Sequence, residues 1–315
     1  MSYIATRDAY GEVLKELGSL MPNLVVLDAD LSGSTKTGVF KKIFPERFFN
    51  VGIAEQNMLS IAAGLSTTGK IPFVSSFAVF ATGRAFEQIR NSIAHCNLNV
   101  KIAATHAGIT VGEDGGSHQS IEDIALMRVL PNMTVIVPAD AQETKQAIRF
   151  AAVHKGPVYI RLGRLAVPQI FNSSYSLNIG KSTPITDGKD ATIIACGLMT
   201  AKAKEAALIL KEQGINVRVI NMASIKPIDK EAIINAAKDT RAIVTAEEHS
   251  IIGGLGGAVS EVLAQNIPTH LEMIGINDCF GQSGTPEELL IKYNLTVNNI
   301  IDKVKKVIIR KITKS

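Results

Sequence analysis

Apolar positions recur along this chain with two alternating periods. Tyr10, Val13, Leu14 and Leu17 fall at helical spacing, and the unbroken run LVVLD (24–28) that follows reads as a buried strand. Helical spacing returns at Met58, Ile61, Ala62 and Leu65 and stops near Gly69. The strand IPFVSS (71–76), a helix around Phe86, Ile89 and Ile93, and the strand VKIAAT (100–105) come next. The helix IEDIALMRVL (121–130), the strand MTVIV (133–137), a helix over 140–154 and the strand PVYIRL (157–162) complete a first unit. Such alternation, with continuously apolar strands, predicts a largely parallel sheet covered on both faces.

Residues 168–190 break the rhythm. They are rich in Ser, Asn, Gly, Pro and Thr and read as a linker. A second α/β unit follows, with strands ATIIACG (191–197), NVRVIN (216–221), RAIVTAE (241–247) and LEMIGI (271–276). Its last helix carries Ile300, Ile301, Val304, Val307 and Ile308 on one face. The expected division is 1–167, linker 168–190, and 191–315; a chain of 315 residues exceeds what one hydrophobic core usually serves.

Composition narrows the possibilities. Hydrophobic residues at 46% and charged residues at 20% are ordinary for a soluble globular chain. A net charge of +4, from 33 basic and 29 acidic residues, is too weak and dispersed to argue for nucleic acid. The terminal basic cluster (Lys303, Lys305, Lys306, Arg310, Lys311, Lys314) reads as a solvated face near a helix C-terminus. Cys96, Cys196 and Cys279 have neither metal-ligand nor disulfide spacing. The N-terminus lacks the apolar run of a signal peptide, and no segment reaches the ~20 uninterrupted apolar residues of a membrane helix. A cytoplasmic protein is expected.

Ligands of open α/β sheets bind beyond the carboxyl ends of strands. Those ends in the first unit carry Asp28, Asp30 and Ser34 after the first strand, the loop 106–118 after the third, and Arg161 and Arg164 after the last. VGIAEQNM (51–58) opens a helix with Glu55 in its first turn, where an acid also suits the helix dipole. The loop 106–118 spans thirteen residues with four glycines, a histidine at each end and Glu113 and Asp114 between. Long glycine-rich loops in compact domains are usually functional. Metal ligation, simple loop closure, or hydrogen bonding to a polyol or phosphate would each use such residues. Histidines twelve apart lack compact ligand spacing, which favours the last. The run GGLGG (253–257) is weak as a dinucleotide signature.

Five segments together resemble the transketolase family: VGIAEQNM, SSFAVFATGRAFEQIR, THAGITVGEDGGSHQSIED followed by LPNMTVIVPAD, EEHSIIGGLGGAVSEVL, and FGQSGTPEELL. They run in the family's order from about Arg7 to about Leu290. The resemblance implies a pyrimidine-binding domain for thiamine diphosphate followed by the family's C-terminal domain. Complete members begin with a further domain that binds the diphosphate and Mg²⁺ through a GDG-type motif. This chain shows no such motif, so the resemblance implies a partner subunit that ligates the Mg²⁺, in an α2β2 assembly with this chain as β. The substrates implied are sugar phosphates, between which a two-carbon ketol unit is transferred.

The resemblance also implies roles. Glu55 would bond N1′ of the aminopyrimidine, a task that suits a carboxyl in a low-polarity pocket. Phe77 and Phe80 would hold the ring, and Asp30 matches an aspartate near the cofactor. The third aromatic position of the family's ring pocket reads Ala81-Thr82-Gly83 here, so that part is altered. His106 and His118 would contact donor oxygens and help move protons; Asp114 would recognise the hydroxyl beside the cleaved bond. Arg7, Ser34 and Arg164 match the phosphate end. Arg161, Glu247 and Glu248 receive no role. GIAEQ is close to the form in 1-deoxyxylulose-5-phosphate synthases, and the β subunit of a 2-oxoacid dehydrogenase is a related possibility. His106 and the intact VGEDG favour transketolase. A non-catalytic partner subunit would not need Glu55, His106, Asp114 and His118 together.

Overall fold

The computed structural model describes residues 2–313; Lys314 of the basic cluster lies outside them. Among the described residues, fourteen strands form three sheets. In chain order they are β1 (Tyr3–Ala5), β2 (Leu24–Asp28), β3 (Phe48–Asn50), β4 (Ile71–Ser75), β5 (Lys101–Ala104), β6 (Thr134–Ile136) and β7 (Val158–Arg161). Then follow β8 (Ala166–Pro168), β9 (Thr183–Thr186), β10 (Ala191–Ala195), β11 (Val217–Asn221), β12 (Ser224–Lys226), β13 (Ala242–Ser250) and β14 (His270–Ile276).

The first large sheet has the order β12-β6-β7-β5-β4-β2-β3, parallel except where β12 meets β6. The second runs β14-β13-β10-β11-β9, parallel except for β9. β1 and β8 form an antiparallel pair. Every residue of β2, β4, β5, β7 and β10 is buried, which is why these strands are mostly apolar without alternation. The fold is the two-unit, mostly parallel α/β architecture expected.

Three differences bear on the site. β12 comes from the second unit yet extends the first unit's sheet, Ser224 pairing with Ile136. The stretch 168–190 contains β9 and is held at several points: Ile170 and Phe171 donate backbone N–H to Asp140, and the Tyr175 hydroxyl donates to Glu143 at 2.6 Å. Glu143 also accepts from Asn221 of β11 at 2.8 Å, so one buried carboxyl joins both units and the segment between. Finally, the expected helix around Phe86 is two π-helical turns, Val79–Arg84 and Ile89–Ala94, flanking Phe86–Gln88.

The last helix, Val297–Ile312, buries Ile300, Ile301, Val304 and Val307. Its basic face is more than solvated. Lys303, Lys306 and Arg310 converge on Glu272 at 2.9, 3.1 and 2.6 Å. Burial opposes ionisation of Glu272, but these three donors hold its carboxyl down at about 2.

Candidate active site

The carboxyl ends of β2, β4, β5 and β7 open on one edge of the first sheet, where a parallel sheet presents its ligand sites. Glu55 begins the helix Glu55–Thr67 and is 1% exposed. Its carboxyl was expected in apolar surroundings, and that expectation is corrected. Ser76, just past β4, donates to Oε1 at 3.3 Å, and Arg84 Nη1 donates to Oε2 at 2.8 Å. Met58 beneath is buried, but Ile53 before the helix is exposed.

Phe77 and Phe80 stack with centroids 6.0 Å apart and planes 11° from parallel. Phe77 is buried and lies flat on the His106 imidazole at 3.8 Å. Phe80 is half-buried. The His118 ring stands edge-on to both, 6.2 Å from Phe77 and 5.3 Å from Phe80, with its Nδ1 paired to Ser117 Oγ at 3.0 Å.

His106 follows β5 with φ of 56°, a left-handed conformation uncommon outside glycine and a mark of local strain. Its Nε2 lies 3.0 Å from Arg7 Nη1 and its Nδ1 2.8 Å from Thr105 Oγ1. A guanidinium can only donate, so Nε2 accepts and Nδ1–H donates to the hydroxyl. Burial, then the charges of Arg7 and Arg164, push the imidazole's pKa down to about 3. The ring is neutral with both nitrogens engaged.

Arg7 Nη1 also donates to the Ser34 carbonyl at 3.1 Å, so Ser34 contributes backbone to this contact. Arg164 donates to the Val111 carbonyl and stands 3.6 Å from Glu113 and 3.9 Å from Asp114. Arg7, Ser34 and His106 thus form one linked group against the Phe77 ring, and Arg164 and Asp114 a second. Asp30 is exposed with φ of 64° and bonds Asn50, through Nδ2 at 2.8 Å, rather than any other candidate. Its neighbour Asp28 shapes the turn: the buried carboxylate accepts from Leu31 N–H and from the Thr35 and Thr37 hydroxyls at 2.6, 2.6 and 2.8 Å.

The glycine-rich loop is strapped down by the second unit. Gln119 Nε2 donates to the carbonyls of Ile109, Gly112 and Gln282. Ser283 Oγ donates to the Glu113 carbonyl at 2.7 Å, and Glu248 accepts from Thr110 N–H at 2.7 Å. A Cβ on Gly108 (φ 82°) would sit 2.2 Å from the Glu248 carboxyl, so only glycine fits. Arg161 ties the base of the loop: it pairs with buried Asp123 at 2.8 Å and donates to the carbonyls of Ser120 and Glu248. Glu247 accepts from the backbone N–H groups of Leu255 and Gly256, both at 2.7 Å. The GGLGG run therefore wraps a helix N-terminus around the chain's own carboxylate. Among the described residues, no group of three or more His, Cys, Asp or Glu is placed to hold a metal, and no helix is long and apolar enough to cross a membrane.

Sequence reasoning missed the parts played by Arg84 and Ser76, and placed Asp28 at its strand end without giving it a role. Arg84 stood inside the quoted SSFAVFATGRAFEQIR, but its reach to Glu55 depends on a π-helical turn that periodicity does not reveal.

A buried carboxyl and stacked rings at parallel strand ends, with two arginines close by, define an α/β protein with a ligand-binding sheet edge. Residues 2–169 match the transketolase pyrimidine-binding domain, and residues 180–300 the transketolase C-terminal domain. The chain is 56% identical over 305 residues to a putative transketolase C-terminal section of Methanocaldococcus jannaschii, covering 96% of each. It superimposes with a TM-score of 0.91 on a solved split-gene transketolase, an inactive β4 tetramer, at 59% identity over 97% of this chain and 98% of that one. Homo sapiens transketolase is 38% identical over 96% of this chain, which spans 49% of that longer protein. The chain belongs to the transketolase family and corresponds to its C-terminal section.

Proposed function

We propose that this chain is the pyrimidine-side subunit of a two-subunit transketolase, active with a partner that carries the diphosphate and Mg²⁺ sites, in an α2β2 assembly. The observation that carries the reading is Glu55: a buried carboxyl at a helix start, joined through the Arg84 guanidinium to the half-buried Phe80 ring. The fit to an aminopyrimidine is chemical. A flat ring with nitrogen donors and acceptors can bond the carboxyl at its edge and lie on Phe80. Phe77, already covered by His106, supports Phe80 from behind.

Bound thiamine diphosphate supplies a nucleophilic carbon and a sink for the electron pair of the breaking C–C bond. Glu55 exchanges a proton with the ring nitrogen N1′. His106, held neutral, fixes the Arg7 guanidinium through Nε2, and a donor oxygen would take the place of the Thr105 hydroxyl at its Nδ1–H. His118 bonds Ser117 through Nδ1, which leaves Nε2 for a sugar oxygen and for proton movement. Asp114 accepts from the hydroxyl beside the cleaved bond. Arg7 and Arg164, with the Ser34 segment, take the phosphate, whose charge would release Arg164 from its loose pairs with Glu113 and Asp114. Asp30 stands at the rim near the cofactor.

The test is to purify the chain alone and with the diphosphate-binding subunit. Turnover of xylulose 5-phosphate with ribose 5-phosphate is expected only with both chains and thiamine diphosphate. Glu55→Ala should abolish it; full activity in that variant, or pyruvate consumption in its place, refutes the reading.

A further inference from the structure

The ring pocket has Ala81-Thr82-Gly83 where an aromatic was expected, and the structure fills the gap with a different group. Val79–Arg84 winds as a π-helix, whose backbone hydrogen bonds reach one residue further along the chain than those of an α-helix. Ala81 and Thr82 point into the core, at 1% and 0% exposure. Arg84 is thereby carried over the Phe80 ring, its Cζ 4.7 Å from the centroid, while Nη1 donates to Glu55 Oε2 at 2.8 Å. The guanidinium is flat, delocalised and rich in N–H donors. It makes an aromatic contact on one side and a carboxylate contact at its edge. Those are the two contacts assigned above to the aminopyrimidine, and both groups cannot use one carboxylate oxygen and one ring surface together. The side chain is 46% exposed, so it reaches in from solvent and can rotate out without moving the backbone.

We infer that Arg84 is a displaceable stand-in for the cofactor's pyrimidine ring. In the free chain it satisfies the buried Glu55 carboxylate, which would otherwise be expensive to leave unpaired. Cofactor binding must break this pair. The diphosphate, anchored by the partner, supplies the additional binding that tips the exchange, so loading is coupled to subunit pairing. This inference rests on the pyrimidine-site reading above.

Equilibrium dialysis of thiamine diphosphate against the reconstituted two-subunit complex tests it without reference to turnover. Arg84→Met is expected to bind the cofactor about three- to tenfold more tightly, the worth of one half-exposed ion pair and one cation–π contact. Arg84→Lys keeps the charge but loses the plane, and should also bind more tightly than the parent, by a smaller factor. Unchanged or weaker binding in either variant overturns the inference. Adding Glu55→Ala to Arg84→Met separates the two ideas. If the double variant binds as well as Arg84→Met, the pyrimidine site itself is misplaced. If it binds more weakly and Arg84→Met is no tighter than the parent, only the stand-in role fails.

Discussion

Replacing Arg161 with Met should be among the most costly single changes in the chain, and the structure says how costly. Asp123 has 0% exposure, and its carboxylate accepts from Arg161 Nε at 2.8 Å, Arg161 Nη2 at 3.2 Å and the Tyr159 hydroxyl at 2.6 Å. Burial works against the Asp123 charge, but the guanidinium more than offsets it and holds the carboxyl below its ordinary range. Methionine would fill much of the volume and leave a buried carboxylate with one hydroxyl partner. Breaking a buried pair from one side costs about 3–5 kcal/mol, a large part of the ~5–15 kcal/mol that keeps a domain folded. Urea unfolding followed by circular dichroism at pH 7 should show this loss. Asp123→Asn should also destabilise, yet the double variant should lose clearly less than the two singles summed, by ~2 kcal/mol or more. The Arg161→Met deficit should also shrink as pH falls, because a protonated Asp123 no longer needs the cation. Amide exchange across residues 106–120 should quicken, since Arg161 holds the Ser120 carbonyl. A loss under ~1 kcal/mol, or strict additivity, would refute the argument that this pair bolts the loop to the two units.

Further outcomes follow from buried groups. Burial pushes the Glu143 carboxyl up to about 7 from 4.5, so between these values the folded state binds more protons than the unfolded. Stability should therefore fall by about 3 kcal/mol as pH rises from 4.5 to 7, and Glu143→Gln should flatten that slope in denaturant titrations. His106, with its pKa pushed down to about 3, should show neutral-imidazole nitrogen shifts by NMR throughout pH 5–8; a titration there would contradict the Arg7 contact. Gly108→Ala should lose about 2–4 kcal/mol in thermal or denaturant unfolding, because φ of 82° and the Glu248 carboxyl both exclude a Cβ.

The interior strands were plain in the sequence because burial on both faces leaves an unbroken apolar run, as in LVVLD and ATIIACG. β1, β8, β9 and β12 were not, for each is three or four residues long and lies among Pro, Ser or Thr, where strand pairing is decided by distant partners. Ile61 shows the same limit inside a helix. It shares the spacing of Met58 and Leu65, yet is 37% exposed while Leu59 is buried, so the spacing misjudged the covered face. Most candidate side chains were legible as residue types at strand ends, and the structure joins most of them by contact. Their partners were not. Arg84 reaches Glu55 through a π-turn, and Arg161 with Glu247 and Glu248 brace the site from more than 80 positions away in the case of the Glu248 carbonyl, 87 residues from Arg161.

The pairing of β12 with β6 has a consequence for how this protein is made. A nascent chain exposes residue 136 well before residue 224 leaves the ribosome, and through that interval the rim of the first sheet lacks its neighbour. An amber stop or a proteolytic nick between 168 and 190 would strand the first unit in that same state, with open N–H and C=O groups ready to recruit another chain. Expressing the first unit by itself should therefore yield inclusion bodies, whereas the whole chain, which completes both large sheets, should stay in the supernatant.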